Sequence, residues 1–256
     1  GAKPSTAADH WILSKLQRST EKISDDLETY RFSEAYETLY HFVWDDLADW
    51  YIEASKSTLN KPLLAYLLEQ TLILAHPFAP FVTETIWQTL AWENDSILAS
   101  RTIMKPLAHD QKLAEQFDEV RQVITEARFI TKALRVSGIT LSFSNAPLLG
   151  DNADVIKQLA RLQTVTEASD GNGIFLTGTK YQAWLDIDQS AAQTYLKELT
   201  GKHEAQVRSV QQLEKRLANK SYVDNAPPDI VQQTKDQLAA AKEQLSAIEA
   251  EQKRFS

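Results

Sequence analysis

Cysteine is absent from this sequence, which excludes disulfides, thiol nucleophiles and cysteine-held metals, and fits a reducing compartment such as the cytoplasm. Long apolar runs are lacking too. None reaches about 18 residues without a charge, the length a membrane-spanning helix needs, so no membrane contact is expected. The opening GAKPSTAADHW has no apolar signal-peptide core. Basic excess is missing: 27 Lys/Arg stand against 35 Asp/Glu, a net charge of −8, which argues against a uniformly basic nucleic-acid binder. No P-loop, dinucleotide fingerprint, nucleophile elbow or zinc spacing occurs. Methionine is confined to Met104, and the opening Gly-Ala looks like a cloning scar. The chain is therefore expected to be a piece cut from a larger protein just before residue 3.

What is present is helix. Apolar residues make up 43% of 256 residues, enough for one large or two to three small cores. Trp11, Ile12, Leu16, Ile23 and Leu27 define a first helix over 6–28. After a break at 29–32, with Ser33 as N-cap, a second helix is predicted over 34–55. Its centre, LYHFVWDDLADWYIEASK, has neither Pro nor Gly. Tyr40, Val43, Trp44, Leu47 and Tyr51 recur at helical spacing, so this segment is predicted to be a buried middle helix. Pro62 suits the first turn of a third helix, 63–75. His76-Pro77-Phe78-Ala79-Pro80 breaks the chain before a fourth, 81–91. A loop over 92–110 completes a helical bundle, 1–110.

The middle region, 111–189, opens with one long helix over 111–136. Leu113, Phe117, Val120, Ile124, Ala127 and Leu134 form its buried stripe. Arg121, Arg128, Lys132 and Arg135 are predicted to share another face. At Ser137-Gly138 the period changes to two: Ile139, Leu141 and Phe143 alternate with polar residues, predicting a strand. A short helix capped by Asp151 or Asn152 and a three-stranded meander (165–168, 173–177, 181–187) follow, with Asp170-Gly171-Asn172-Gly173 as a turn.

The last region, 190–256, carries two heptad runs. Leu196, Leu199, His203, Gln206, Val210, Leu213 and Leu217 form the first; Val231, Thr234, Leu238, Ala241, Leu245 and Ile248 form the second. Joined through a loop over 219–228, they predict an antiparallel coiled-coil arm. His203 and Gln206 should make its base the looser part. The fold class is mainly α: bundle, small α/β subdomain, hairpin. Charge is unevenly shared, with 10 Lys/Arg against 9 Asp/Glu in the arm and 17 against 26 elsewhere.

No catalytic constellation stands out. Asp45, Asp49 and Glu53 lie a helical turn apart without a matching His, as a solvated acidic face would. His76 sits at a helix end, where imidazole commonly bonds terminal carbonyls. The cations Arg121, Arg128, Lys132 and Arg135 suit phosphate contacts, as do Lys202, Arg208, Lys215, Arg216, Lys220, Lys235 and Lys242 on the arm. Each set alone also suits a solvated helix face.

Resemblance goes further. DHWILSKLQ at 9–17, the run at 30–56 and HPFAPFVTETIWQ at 76–88 resemble the region after the catalytic core of class I aminoacyl-tRNA synthetases. Trp44-Asp45 through Asp49-Trp50-Tyr51-Ile52-Glu53 looks like the valine enzymes, and residues 219–249 are similar to their C-terminal tRNA-binding arm. The resemblance implies a tRNA(Val)-binding, monomeric, cytoplasmic fragment whose bundle meets the anticodon stem-loop and whose arm reaches the outer corner of the tRNA. Arg31 and Phe32 become candidate anticodon-loop contacts. ATP with Mg and valine would belong to a catalytic domain outside this chain, whose His-Ile-Gly-His and Lys-Met-Ser-Lys-Ser type signatures do not occur here. Three departures stand out. The family's Asn-Lys-X-Trp-Asn-X-X-Arg-Phe helix is missing. Thr131 and Val136-Ser137-Gly138 replace a second Arg and a Pro-Pro-Ser-Lys-like loop. Glu84-Thr85 replaces Glu-Glu. The competing expectation is a coiled-coil scaffolding module without tRNA binding.

Overall fold

Thr6 starts the first helix: its hydroxyl accepts the Asp9 N–H at 3.1 Å, and α1 runs Ala7–Glu28. The computed structural model describes residues 1–92, 97–169, 171–225 and 227–255. Then come α2 (Phe32–His41), a π-helix (Phe42–Ile52) and α3 (Glu53–Ser55), continuous with one another. α4 (Lys61–Ala75) and α5 (Pro80–Leu90) follow, then α6 (Gln111–Ala133). Asn60 caps α4 and Asp110 caps α6.

Two compact units result. One comprises residues 1–125 and 147–162, the other 126–146 and 163–256. The first unit's core is built on Trp11, Ile12 and Ile23 of α1, Phe42 and Tyr51 of the π-helix, Leu63 and Leu67 of α4, and Phe117 and Ile124 of α6. Trp11 and Phe117 rings meet at 5.4 Å. A smaller cluster joins Leu72, Trp87 and Leu98. A buried polar knot ties α1 to its neighbours. The Asp9 carboxylate accepts from Tyr51 Oη at 2.8 Å, Asn60 Nδ2 at 2.9 Å and the Ser5 N–H at 2.9 Å. Burial alone would raise the Asp9 carboxyl; the donors Asn60, Ser5 and Tyr51 outweigh it and hold the group below its ordinary value.

The middle helix departs from expectation. Over Phe42–Ile52 each turn holds an extra residue, so the buried positions are Phe42, Leu47 and Tyr51, four to five apart. A 3.6 period had placed Tyr40 and Trp44 on the same buried face. Instead Trp44 is 58% exposed and stacks flat on the exposed Tyr40, rings 6.4 Å apart. The helix is therefore buried on one side only.

Three helices end alike, without glycine. Tyr30, Arg135 and Arg161 take left-handed backbone. The next residue's N–H then bonds back to a carbonyl five residues earlier: Arg31 to Asp26, Val136 to Thr131, Leu162 to Lys157. This closure stops α6 at Ala133 rather than 136. It also starts α2 at Phe32 with no side-chain cap, so Ser33 is not the N-cap.

The sheet also differs from a meander. Its order is β2 (Thr164–Glu167), β1 (Thr140–Ser144), β4 (Gln182–Leu185), β3 (Ile174–Phe175). β1 pairs with β2 in parallel and with β4 antiparallel. Parallel pairing needs a connection of about a dozen residues or more, and residues 145–163, containing α7 (Pro147–Asp151) and α8 (Ala153–Ala160), supply it. Asn152 precedes α8 but makes no capping bond. Leu141, Phe143, Ala183 and Leu185 cover one face. The buried Glu126 carboxylate holds the turn before β4, taking the Thr177 and Gly178 N–H groups at 2.8–2.9 Å. Gly173 has φ +102, and a Cβ there would lie 2.0 Å from the Leu185 carbonyl oxygen. The predicted turn's Asp170 lies outside the described residues, as does 93–96 of the predicted loop.

The arm is α9 (Gln189–Ala218) against α11 (Pro228–Phe255), roughly 45 Å long by helix rise. What was expected as loop contains a helical turn, α10 (Lys220–Asn225), whose Tyr222 hydroxyl meets Thr234 Oγ1 at 2.8 Å. Leu199, Val210, Val231, Thr234 and Ala241 are buried in the seam. The polar seam positions have cross-arm partners. His203 Nε2 lies 3.2 Å from Glu249 Oε1, and Gln206 Nε2 donates to Ala241 O at 3.0 Å.

Candidate nucleic-acid interface

The left-handed turn at Tyr30 throws two aromatic side chains outward. Tyr30 is 80% exposed and Phe32 56%, their rings edge to face at 6.2 Å. Arg31 between them is anchored rather than loose. Its guanidinium bonds Asp25 at 2.7 Å and Asp26 at 2.9 Å. Lys22 and Arg31 together hold the buried Asp26 carboxyl below its ordinary value. The corner thus offers two rigidly spaced ring faces beside a partly neutralised cation, chemistry suited to splayed bases.

Arg121 has a different surrounding from the one expected. It is sandwiched between Trp11 and Trp50, 4.5 and 4.4 Å from their ring centres. Its Nη1 bonds Asp118 at 2.9 Å, and Asp118 also accepts Trp11 Nε1–H at 2.8 Å. Burial pushes the neighbouring Asp46 carboxyl up, against the pull of Lys15 and Arg121. The sandwich draws on α1, the π-helix and α6, and no sequence spacing announces it. Of the four cations expected on one helical face, Arg128 and Lys132 are exposed on α6, while Arg135 is exposed beyond its end.

Nearby polar groups are engaged in structure. His41 Nδ1 meets Asp45 at 2.7 Å, which raises the imidazole above its ordinary value. Glu53 pairs with Lys56. His76 Nδ1 meets the Thr83 hydroxyl at 2.8 Å, not a terminal carbonyl.

On the arm, Lys202, Arg208, Lys215, Lys220 and Lys235 are exposed. Lys242 is paired with Glu214 across the hairpin at 2.7 Å. Arg216 lies over the Tyr222 ring at 4.5 Å, a stack that the expected loop gave no reason to anticipate. At the arm's base, burial and a bond to Glu251 push the Tyr195 hydroxyl up to about 12. Among the described residues, no helix is long and apolar enough to cross a membrane.

Known proteins match this sequence. The family model for the anticodon-binding domain of tRNA ligase matches residues 9–141, and that for the valyl tRNA synthetase tRNA binding arm matches 194–255. Valine–tRNA ligase of Thermotoga maritima is 29% identical over 94% of this chain and 30% of its own length. That of Pelagibacter ubique is 28% identical over 93% of this chain and 30% of its own length. That of Geobacillus kaustophilus reaches 40% identity over 49% of this chain and 16% of its own length. The chain spans about 30% of the length of the first of these relatives.

Proposed function

Because the chain belongs to the family of anticodon-binding domains of tRNA ligases, and resembles valine–tRNA ligases along most of its length, we propose that it is the tRNA-gripping part of a valyl-tRNA synthetase. The ligand is tRNA(Val). The bundle faces the anticodon stem-loop, the arm meets the outer corner of the tRNA, and the fragment acts as a monomer in the cytoplasm. ATP, Mg and valine are handled by the catalytic part of the whole enzyme, where aminoacylation takes place. One observation carries this reading: the segment that matches the tRNA-binding arm folds as a two-helix hairpin with nine exposed cations among its described residues.

Such a ligand is held first through its phosphates. Lysine and arginine displace condensed counterions, so affinity falls as salt rises. Arg128, Lys132, Arg135 and the arm cations supply the phosphate contacts, and the Tyr30–Phe32 corner supplies stacking. Titration of valine tRNA with the whole chain from low to high salt tests this. The expected log–log slope is roughly −0.7 to −0.9 per phosphate contact. No binding at low salt, or binding indifferent to salt, overturns it.

A further inference from the structure

The two faces of the arm differ in chemistry. On one, Lys242 pairs with Glu214 at 2.7 Å. The other is a shallow groove of 540 Å³ running beside the seam, and among the described residues Arg216 is the only charged one lining it. Its walls are amides and a hydroxyl, from Gln206, Gln212, Gln237, Gln244 and Ser209. Its floor is Ala240 and Ala241, small enough to let a ligand's backbone come close. Lys202 falls on the same helical stripe, at the spacing 202, 206, 209, 213, 216.

We propose that this groove, bounded by Lys202 and Arg216, is the RNA-facing side of the arm and holds the sugar edge of double-helical RNA. The inference rests on the tRNA reading above and deepens it. In A-form RNA the wide, shallow minor groove displays 2′-hydroxyls, each both donor and acceptor. A primary amide likewise donates and accepts. Gln206 already spends its N–H2 on Ala241 O at 3.0 Å and Gln244 Oε1 at 3.2 Å. That fixes the wall and leaves the Gln244 N–H2, Gln212 and Gln237 to face outward. Among the described residues lining the groove none carries a carboxylate, which would repel phosphates. Lys202 and Arg216 stand seven times two residues apart, about 21 Å along the helix, positioned to meet phosphates on either side of the sugars. A second arm packing on the alanine floor is the other occupant such a groove admits.

The test uses the whole chain and a valine-tRNA transcript, with an RNA hairpin made both as ribose and as 2′-O-methyl RNA. Gln212→Ala/Gln237→Ala is expected to weaken tRNA binding at least about tenfold, with helix content unchanged because both residues are exposed. Ala240→Glu on the floor should do the same. The control Gln211→Ala/Gln232→Ala, off the groove, should change affinity less than about twofold. Unaltered chain should favour ribose over 2′-O-methyl RNA, and Gln212→Ala/Gln237→Ala should lose that preference. Equal losses from groove and control variants, or an unchanged affinity in the groove variants while the unaltered chain binds, overturn the groove and leave the tRNA reading standing. Concentration-dependent sedimentation abolished by Ala240→Glu overturns it in favour of arm pairing. No binding by unaltered chain overturns both.

Discussion

The bundle and the arm are both helical, yet they are held together by different means. In the bundle, Trp11, Ile12, Phe42, Tyr51, Leu63 and Phe117 are almost wholly out of water. The buried Asp9 carboxylate is compensated by its donors, and the half-buried Arg121 is held between Trp11 and Trp50. In the arm, Leu213, Leu217, Leu238 and Leu245 are only half-buried. Its base adds polar links from Tyr195 to Glu251 and from His203 to Glu249. Two helices have one shared seam and cannot bury more. The difference teaches that the bundle is specified by packing, whereas the arm leaves most of its surface exposed.

The largest expected effect breaks the bundle side of this comparison. Trp11→Ala should cost about 3–5 kcal/mol, since a large buried ring is removed and little can collapse into its place. Chemical denaturation should show the bundle transition shift strongly. An effect below about 1 kcal/mol would mean the sandwich is peripheral.

Next comes Asp9. Tyr51→Phe removes one of its donors and should cost about 1–3 kcal/mol. The Asp9 value is lowered on folding, so its contribution is present above the unfolded value of about 3.9 and lost as pH falls through the folded one. Melting curves below about pH 4 should therefore fall more steeply for the unaltered chain than for Asp9→Asn. Parallel curves would remove Asp9 from the account.

The smallest effect sharpens the arm side. Gly201 lies inside α9, and a Cβ added there meets nothing within 4 Å. Gly201→Ala should stabilise the arm by about 0.8–1 kcal/mol through helix propensity alone. Slower hydrogen exchange over residues 195–206 would show it. Unchanged exchange would mean the seam, not propensity, limits the arm.

Much of the chain order was legible because helix starts and apolar periods are local. Thr6, Pro62 and the heptads of the arm announced themselves. What failed was non-local or broke the assumed period. The π-helix turned Trp44 outward because a 3.6-residue period does not describe it. The sheet order depended on β2 crossing to lie parallel to β1, which alternation cannot reveal. The candidate interface was legible as a set of cations but not as geometry. Arg121 lies between tryptophans that are 39 positions apart in sequence, and Arg31 is held by Asp25 and Asp26. The groove's glutamines share a wall only once α9 and α11 pair.

The central claim of the proposed function is that the cations of the arm hold tRNA through its phosphates. The most direct measurement is the affinity of valine tRNA for the whole chain carrying Lys215→Glu and Arg216→Glu. Both residues lie in the last turn of α9, near the arm's tip, and reversing them leaves the bundle untouched. The account predicts a loss of at least about tenfold at low salt, with a shallower salt dependence. Unchanged affinity and slope would contradict it and move the contact off the arm.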